Sequence, residues 1–166
     1  MENNVIPSAC NQDNFSPDCS GVNANNLYKY LNRDDVIYID VRNSDEYNNM
    51  HLHGFHLISL QESIIGSDDQ LFYGTPTNAD ARYVESIDIL NEMFPQDKIL
   101  FIMCQSGNRV AQVMQILKLY GYDMTKIYNV GGMVQYSSNK YNEYTEINKP
   151  TMAKEYFKAS DLTILY

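Results

Sequence analysis

Two uninterrupted apolar runs, Val36-Ile37-Tyr38-Ile39 and Ile99-Leu100-Phe101-Ile102-Met103, most constrain how this chain can fold. A strand with one wet face alternates apolar and polar residues. A strand that is apolar at every position is buried on both faces, as in a parallel sheet covered by helices. Between and beyond these runs the period changes. Asp80 to Phe94 carries Tyr83, Val84, Ile87, Leu90, Met93 and Phe94 at helical spacing and stops at Pro95. Arg109 to Tyr120 carries Val110, Val113, Met114 and Leu117 on one face, with Gly121 placed to cap its end. Further strands are predicted over Phe55 to Leu60 and Thr125 to Val130, the second running into a Gly131-Gly132 turn. Two short helices complete the pattern. One is capped by Asn23 and carries Leu27, Tyr28 and Leu31; the other is capped by Ser44, with Asp45 and Glu46 in its first turn. Strands and helices alternating at this length imply an α/β fold, a central parallel sheet flanked by helices on both faces.

A chain of 166 residues is long enough for one domain with a real core. Residues 1–22 are rich in Asn, Ser, Pro and Asp and read as a polar N-terminal arm. Residues 23–136 hold the patterned domain, within which 61–78 reads as a long loop containing Gly66, Gly74 and Pro76. Residues 137–166 form a C-terminal extension expected to pack on the domain, with room between Met152 and Leu165 for one more helix or strand. Acidic residues outnumber basic ones 21 to 12, for a formal net charge of −9. Nucleic acid and anionic membrane surfaces demand clustered Lys and Arg, so neither is an expected partner. No apolar run approaches the length that spans a bilayer. No charged and apolar leader opens the chain, which fits a cytoplasmic protein or an exported one whose signal has been removed. Cys10 and Cys19 lie in the arm, either as a disulfide of an exported protein or as two reduced thiols.

The third cysteine ends the more apolar run. Cys104 is followed by Gln105, Ser106, Gly107 and Asn108, and then Arg109 and Val110 open a helix. Ligands of open α/β sheets bind beyond the carboxyl ends of strands, which is where Cys104 falls. A loop whose successive N–H groups run into a helix N-terminus makes an anion cradle. Such a cradle stabilises a thiolate, the nucleophilic form of cysteine. Gly107 permits the tight turn, and Arg109 adds fixed positive charge at the rim. A buried structural cysteine before a βα turn is the plainer alternative.

From Asn23 to Tyr136 the sequence resembles the rhodanese family of sulfurtransferases. Asp40-Val41-Arg42 followed by Glu46-Tyr47, then His51-Leu52-His53-Gly54, then Cys104-Gln105-Ser106-Gly107-Asn108-Arg109, then Gly121-Tyr122 and Asn129-Val130-Gly131-Gly132 stand in the family's order. The resemblance implies that Cys104 takes a sulfane sulfur from a donor such as thiosulfate and passes it to cyanide or a thiol, a carrier protein being a further acceptor. It implies Cys104 and Arg109 as catalytic residues, residues 105–108 with Val110 as the substrate loop, Asp40 and Arg42 in support, no metal or organic cofactor, and a monomer. Related phosphatases and arsenate reductases use a loop one residue longer for a tetrahedral oxyanion, so the four residues here favour a single sulfur. A catalytically idle binding module is the alternative from another class. Asp40 is expected to orient loop amides or Arg109, and Arg42 to pair with an acid such as Glu46. Phe55, Tyr136 and the neutral Gln105 depart from the residues usual in the family. His51, His53 and His56 invite a metal reading, but no nearby cysteine or carboxylate completes a ligand set.

Overall fold

A computed structural model describes residues 5–9, 14–150 and 153–165. Both apolar runs are strands: β1 is Val36–Asp40, and the later run, Ile99–Cys104, lies beside it in parallel with Val36 opposite Ile99 and Asp40 opposite Met103. In chain order the remaining elements are α1 (Ser44–Asn49), β2 (Met50–Leu52), β3 (His56–Leu57), β4 (Phe72–Tyr73), β5 (Asp80–Ala81) and α2 (Ser86–Met93). After β6 (Ile99–Cys104) come α3 (Asn108–Leu119), β7 (Ile127–Gly132), α4 (Met133–Tyr136) and β8 (Thr145–Ile147). The central sheet is parallel, in the order β3-β1-β6-β7. Asp40, Cys104 and Gly132 therefore arrive together at the carboxyl end of the sheet.

Side chains alternate across the sheet and feed two cores. Ile39, Leu100, Ile102, Cys104 and Ile127 join α2 and α3 through Ile89, Leu90, Met93, Val110, Val113, Met114, Ile116 and Leu117. Val36, Tyr38, Phe101, Met103, Tyr128 and Val130 face the other way, against Val22, Leu27, Tyr30, Met133, Tyr136 and Tyr141. Both faces are thus covered. The second cover is made of 3-10 turns at Leu27–Tyr30 and Asn139–Tyr144 together with the single turn of α4, rather than long helices.

Several boundaries differ from those the sequence suggests. Asn23 caps no α-helix; its carbonyl accepts the Leu27 N–H, and only a 3-10 turn forms. Ser44 is the first residue of α1 and Asn43 its cap; Glu46 reaches back to accept the Asn43 N–H at 3.1 Å. The strand expected over 55–60 is two residues long because Leu60–Ile64 coils into a wide turn, with Ser59 Oγ accepting the Glu62 N–H. The stretch 61–78 is not a bare loop: Phe72, fully buried, sits on β4, which pairs with β5. That pairing takes Asp80 and Ala81 out of the predicted helix, which begins at Ser86 and leaves Val84 exposed. The C-terminal extension supplies β8, antiparallel to β2, and a 3-10 turn at Ala159–Asp161. In 153–165 no further helix or paired strand forms beyond a bridge from Tyr83 to Ile164.

Candidate functional site

The site is built where β6 gives way to α3. Gly107, with φ of +104°, turns the chain into α3 from the left-handed region that favours glycine. This places its N–H 3.0 Å from Cys104 Sγ, donating to the sulfur. Cys104 is only 1 % exposed, and Val110, its neighbour in the same core, is fully buried inside α3. Val110 therefore faces the core rather than the loop's open side. Ser106 and Asn108 project to solvent, and Gln105 is half-buried.

The loop is held from the β7 side. Its Gln105 carbonyl accepts the Val134 N–H from the first turn of α4 at 3.1 Å. Gly132 lies so close that a β-carbon there would fall 2.1 Å from the Gln105 carbonyl carbon. Buried Asn129 donates from Nδ2 to the carbonyls of Gly107, at 3.0 Å, and Phe15, at 2.8 Å, while its Oδ1 accepts the Gly131 N–H at 3.0 Å.

The charged residues pair differently from the expected assignment. Asp40 and Arg42 bind each other in a buried fork, with Arg42 Nη2 at 2.8 Å and Nε at 3.0 Å from the carboxylate. The chain turns after β1, which folds the guanidinium back over the carboxylate two residues earlier. Arg42 also donates to the Met50 carbonyl at 2.6 Å and to Gln105 Oε1 at 3.5 Å. Burial pushes the Asp40 carboxyl up, and the Arg42 bonds oppose that rise. Glu46 belongs to Arg109 instead, since α1 and the start of α3 flank the same rim. The two Nη atoms stand 2.6 and 2.9 Å from its carboxylate oxygens. Those bonds hold Glu46 well below the usual carboxylate range, at about 2, with the Asn43 N–H assisting against partial burial.

Beside the site, His51 stacks on Tyr47 at 3.8 Å and stands 2.7 Å from the Tyr47 carbonyl and from Glu146. Glu146, directly opposite His51 in the β2–β8 pair, also meets His53 at 3.0 Å and Lys149 at 3.1 Å. His53, Lys149 and His51 hold its carboxyl at about 2. His56 is elsewhere, 3.5 Å from Tyr156, and burial lowers its pKa. Among the described residues no group of three or more His, Cys, Asp or Glu is placed to hold a metal. Cys10 lies outside the described residues, and with it the question of a Cys10–Cys19 pair.

A model of the rhodanese-like domain matches residues 23–139, well over half of the chain. This chain belongs to the rhodanese-like family. Two solved structures are similar to it. One is a rhodanese with anions from E. coli, 21 % identical, covering 60 % of this chain and 89 % of that one, with a TM-score of 0.40. The other is the NMR structure of protein hp1203 from Helicobacter pylori, 25 % identical, covering 75 % of this chain and 90 % of that one, with a TM-score of 0.44. No curated protein matches the chain.

Phe15 and Pro17 border the Cys104 loop with no signal in the sequence, because nothing in a polar arm marks them out. Asn129 stands in the sequence only as part of the closing motif. A polar residue between Tyr128 and Val130, inside an otherwise apolar strand, was the available signal. Glu146 gave none, since a glutamate in a polar extension is ordinary.

Proposed function

We propose that this rhodanese-like protein is a sulfurtransferase acting through a persulfide on Cys104. The Cys104 thiolate attacks the outer sulfur of a donor such as thiosulfate. The donor's S–S bond breaks, and sulfite leaves with the bonding pair. An acceptor then attacks the terminal persulfide sulfur, so that cyanide leaves as thiocyanate or a thiol takes the sulfur, and the thiolate returns. The observation that carries this reading is the Gly107 N–H donating to Cys104 Sγ at the carboxyl end of β6 and the start of α3. That bond fixes the sulfur beside the first turn of a 12-residue helix, whose N-terminus carries partial positive charge. Arg109, committed to Glu46, holds the rim in shape and contributes its charge from there. Ser106 and Asn108, both exposed, stand at the mouth where donor and acceptor arrive.

The test is thiocyanate formation from thiosulfate and cyanide. Turnover by the wild type that Cys104→Ser abolishes supports the proposal. A second reading, a non-catalytic binding module, is favoured by the 1 % exposure of Cys104, since a donor reaches the sulfur only if the rim yields. Absence of turnover and of any sulfur adduct across a panel of sulfane donors would establish that reading.

A further inference from the structure

The N-terminal arm lies outside the residues that match the family model, yet it meets the Cys104 loop. Phe15 is 2 % exposed, in the same core cluster as Cys104 and Val110. Its backbone sits at φ of +49°, a conformation that non-glycine residues hold only when their surroundings over-determine it. Here the surroundings are visible: the ring is buried and the carbonyl accepts Asn129 Nδ2. Two residues on, Pro17 opens a 3-10 turn whose start is fixed by Ser16 Oγ accepting the Asp18 N–H. The Pro17 ring fills the space beside Gly107, where a β-carbon would meet Pro17 Cγ at 2.7 Å, and it borders Gly131 as well.

We infer that Asn129, Phe15 and Pro17 form a clamp that positions the Gly107 peptide against Cys104, so that the arm is a working part of the sulfur site. The Asn129 carboxamide ties the arm, the loop and the Gly131 turn with its two donors and one acceptor. Gly107 is free of β-carbon restraint and left-handed, so it has the most conformations to lose; the clamp selects one. The carbonyl of Gly107 is fixed by Asn129 and by the Ala111 N–H at 3.1 Å. Its other side is blocked by Pro17. With the residue held from both sides, its N–H stays on Cys104 Sγ. Asn129 is thus a positioning residue: it acts on the sulfur through Gly107. This inference rests on the sulfur-transfer reading for its purpose but not for its geometry.

The test uses the full chain and two readouts. Amide hydrogen exchange at Gly107 reads the clamp directly. The rate of persulfide loading from thiosulfate, followed by intact mass, reads its consequence. Asn129→Asp keeps the side-chain shape and the acceptor for Gly131 while removing both donor bonds. Pro17→Ala removes the ring contact from a half-buried surface site and stands in if Asn129→Asp does not fold. Leu27→Ala, in the opposite core, is the control for lost stability alone. Asn129→Asp, by loss of a bond of ordinary strength, is expected to speed Gly107 exchange at least about tenfold relative to Leu27→Ala and to slow loading by about the same factor. Pro17→Ala, which loses only the ring contact, is expected to shift both readouts in the same direction by less. Gly107 exchange that tracks the control in both variants overturns the clamp. Faster exchange in a protein whose wild type loads no sulfur leaves the clamp standing and removes the proposed activity.

Discussion

Asp40–Arg42 and Glu46–Arg109 are chemically the same pair, a carboxylate forked by a guanidinium, and they stand in different media. The first is sealed, with side-chain exposures of 0 % and 3 %; the second sits on the rim at 33 % and 19 %. In the sealed pair burial raises the acid's pKa and the partner opposes it. In the rim pair the partner dominates and the acid falls to about 2. The contrast teaches that Asp40–Arg42 is a framework that ties β1 to Met50, whereas Glu46–Arg109 joins the two helices that flank the Cys104 loop at a smaller desolvation cost.

The largest break in this contrast is Arg42→Met. It leaves a buried carboxylate without its partner and is expected to cost roughly 3–5 kcal/mol in chemical denaturation. Adding Asp40→Leu removes the stranded charge and should recover most of that loss, since apolar replacements of buried ion pairs are often neutral. Arg109→Met should cost only about 1 kcal/mol in the same assay, because solvent screens the pair. Its larger effect should fall on persulfide loading, where the rim loses its brace.

The rim pair also predicts a pH dependence. Glu46 has a depressed folded-state pKa, so its contribution is complete above the ordinary 4.5 and fades as pH falls toward about 2. Glu46→Gln should therefore be less stable than wild type at pH 6 and converge with it near pH 2. A difference that persists unchanged to pH 2 would mean that the pair is not what the substitution disturbs. The smallest effect is expected of His53→Ala. Its side chain is 71 % exposed, and the change should stay within about 0.5 kcal/mol even though it contacts Glu146.

What the sequence revealed, and what it hid, follows the same divide between local and distant partners. The parallel sheet was legible because β1 and β6 are apolar at nearly every position, a pattern that few other environments explain. The Cys104 loop was legible because its residues are consecutive. The pairing of Arg42 was not: its two acids, Asp40 and Glu46, are close in sequence, and only the turn after β1 decides between them. β8 was hidden because its three residues, Thr145, Glu146 and Ile147, carry no strand period of their own and become a strand only against β2. The arm was hidden for a related reason. Its composition is polar, and one phenylalanine in a polar stretch gives no period from which burial can be read.

The most direct test of the sulfur site is the intact mass of the full-length protein after incubation with thiosulfate, followed by peptide mapping. A single added sulfur on Cys104, removed by cyanide and absent from Cys104→Ser, is the expected result. A protein whose mass never changes with thiosulfate or any other sulfane donor, while Cys104 remains a free thiol, would contradict it.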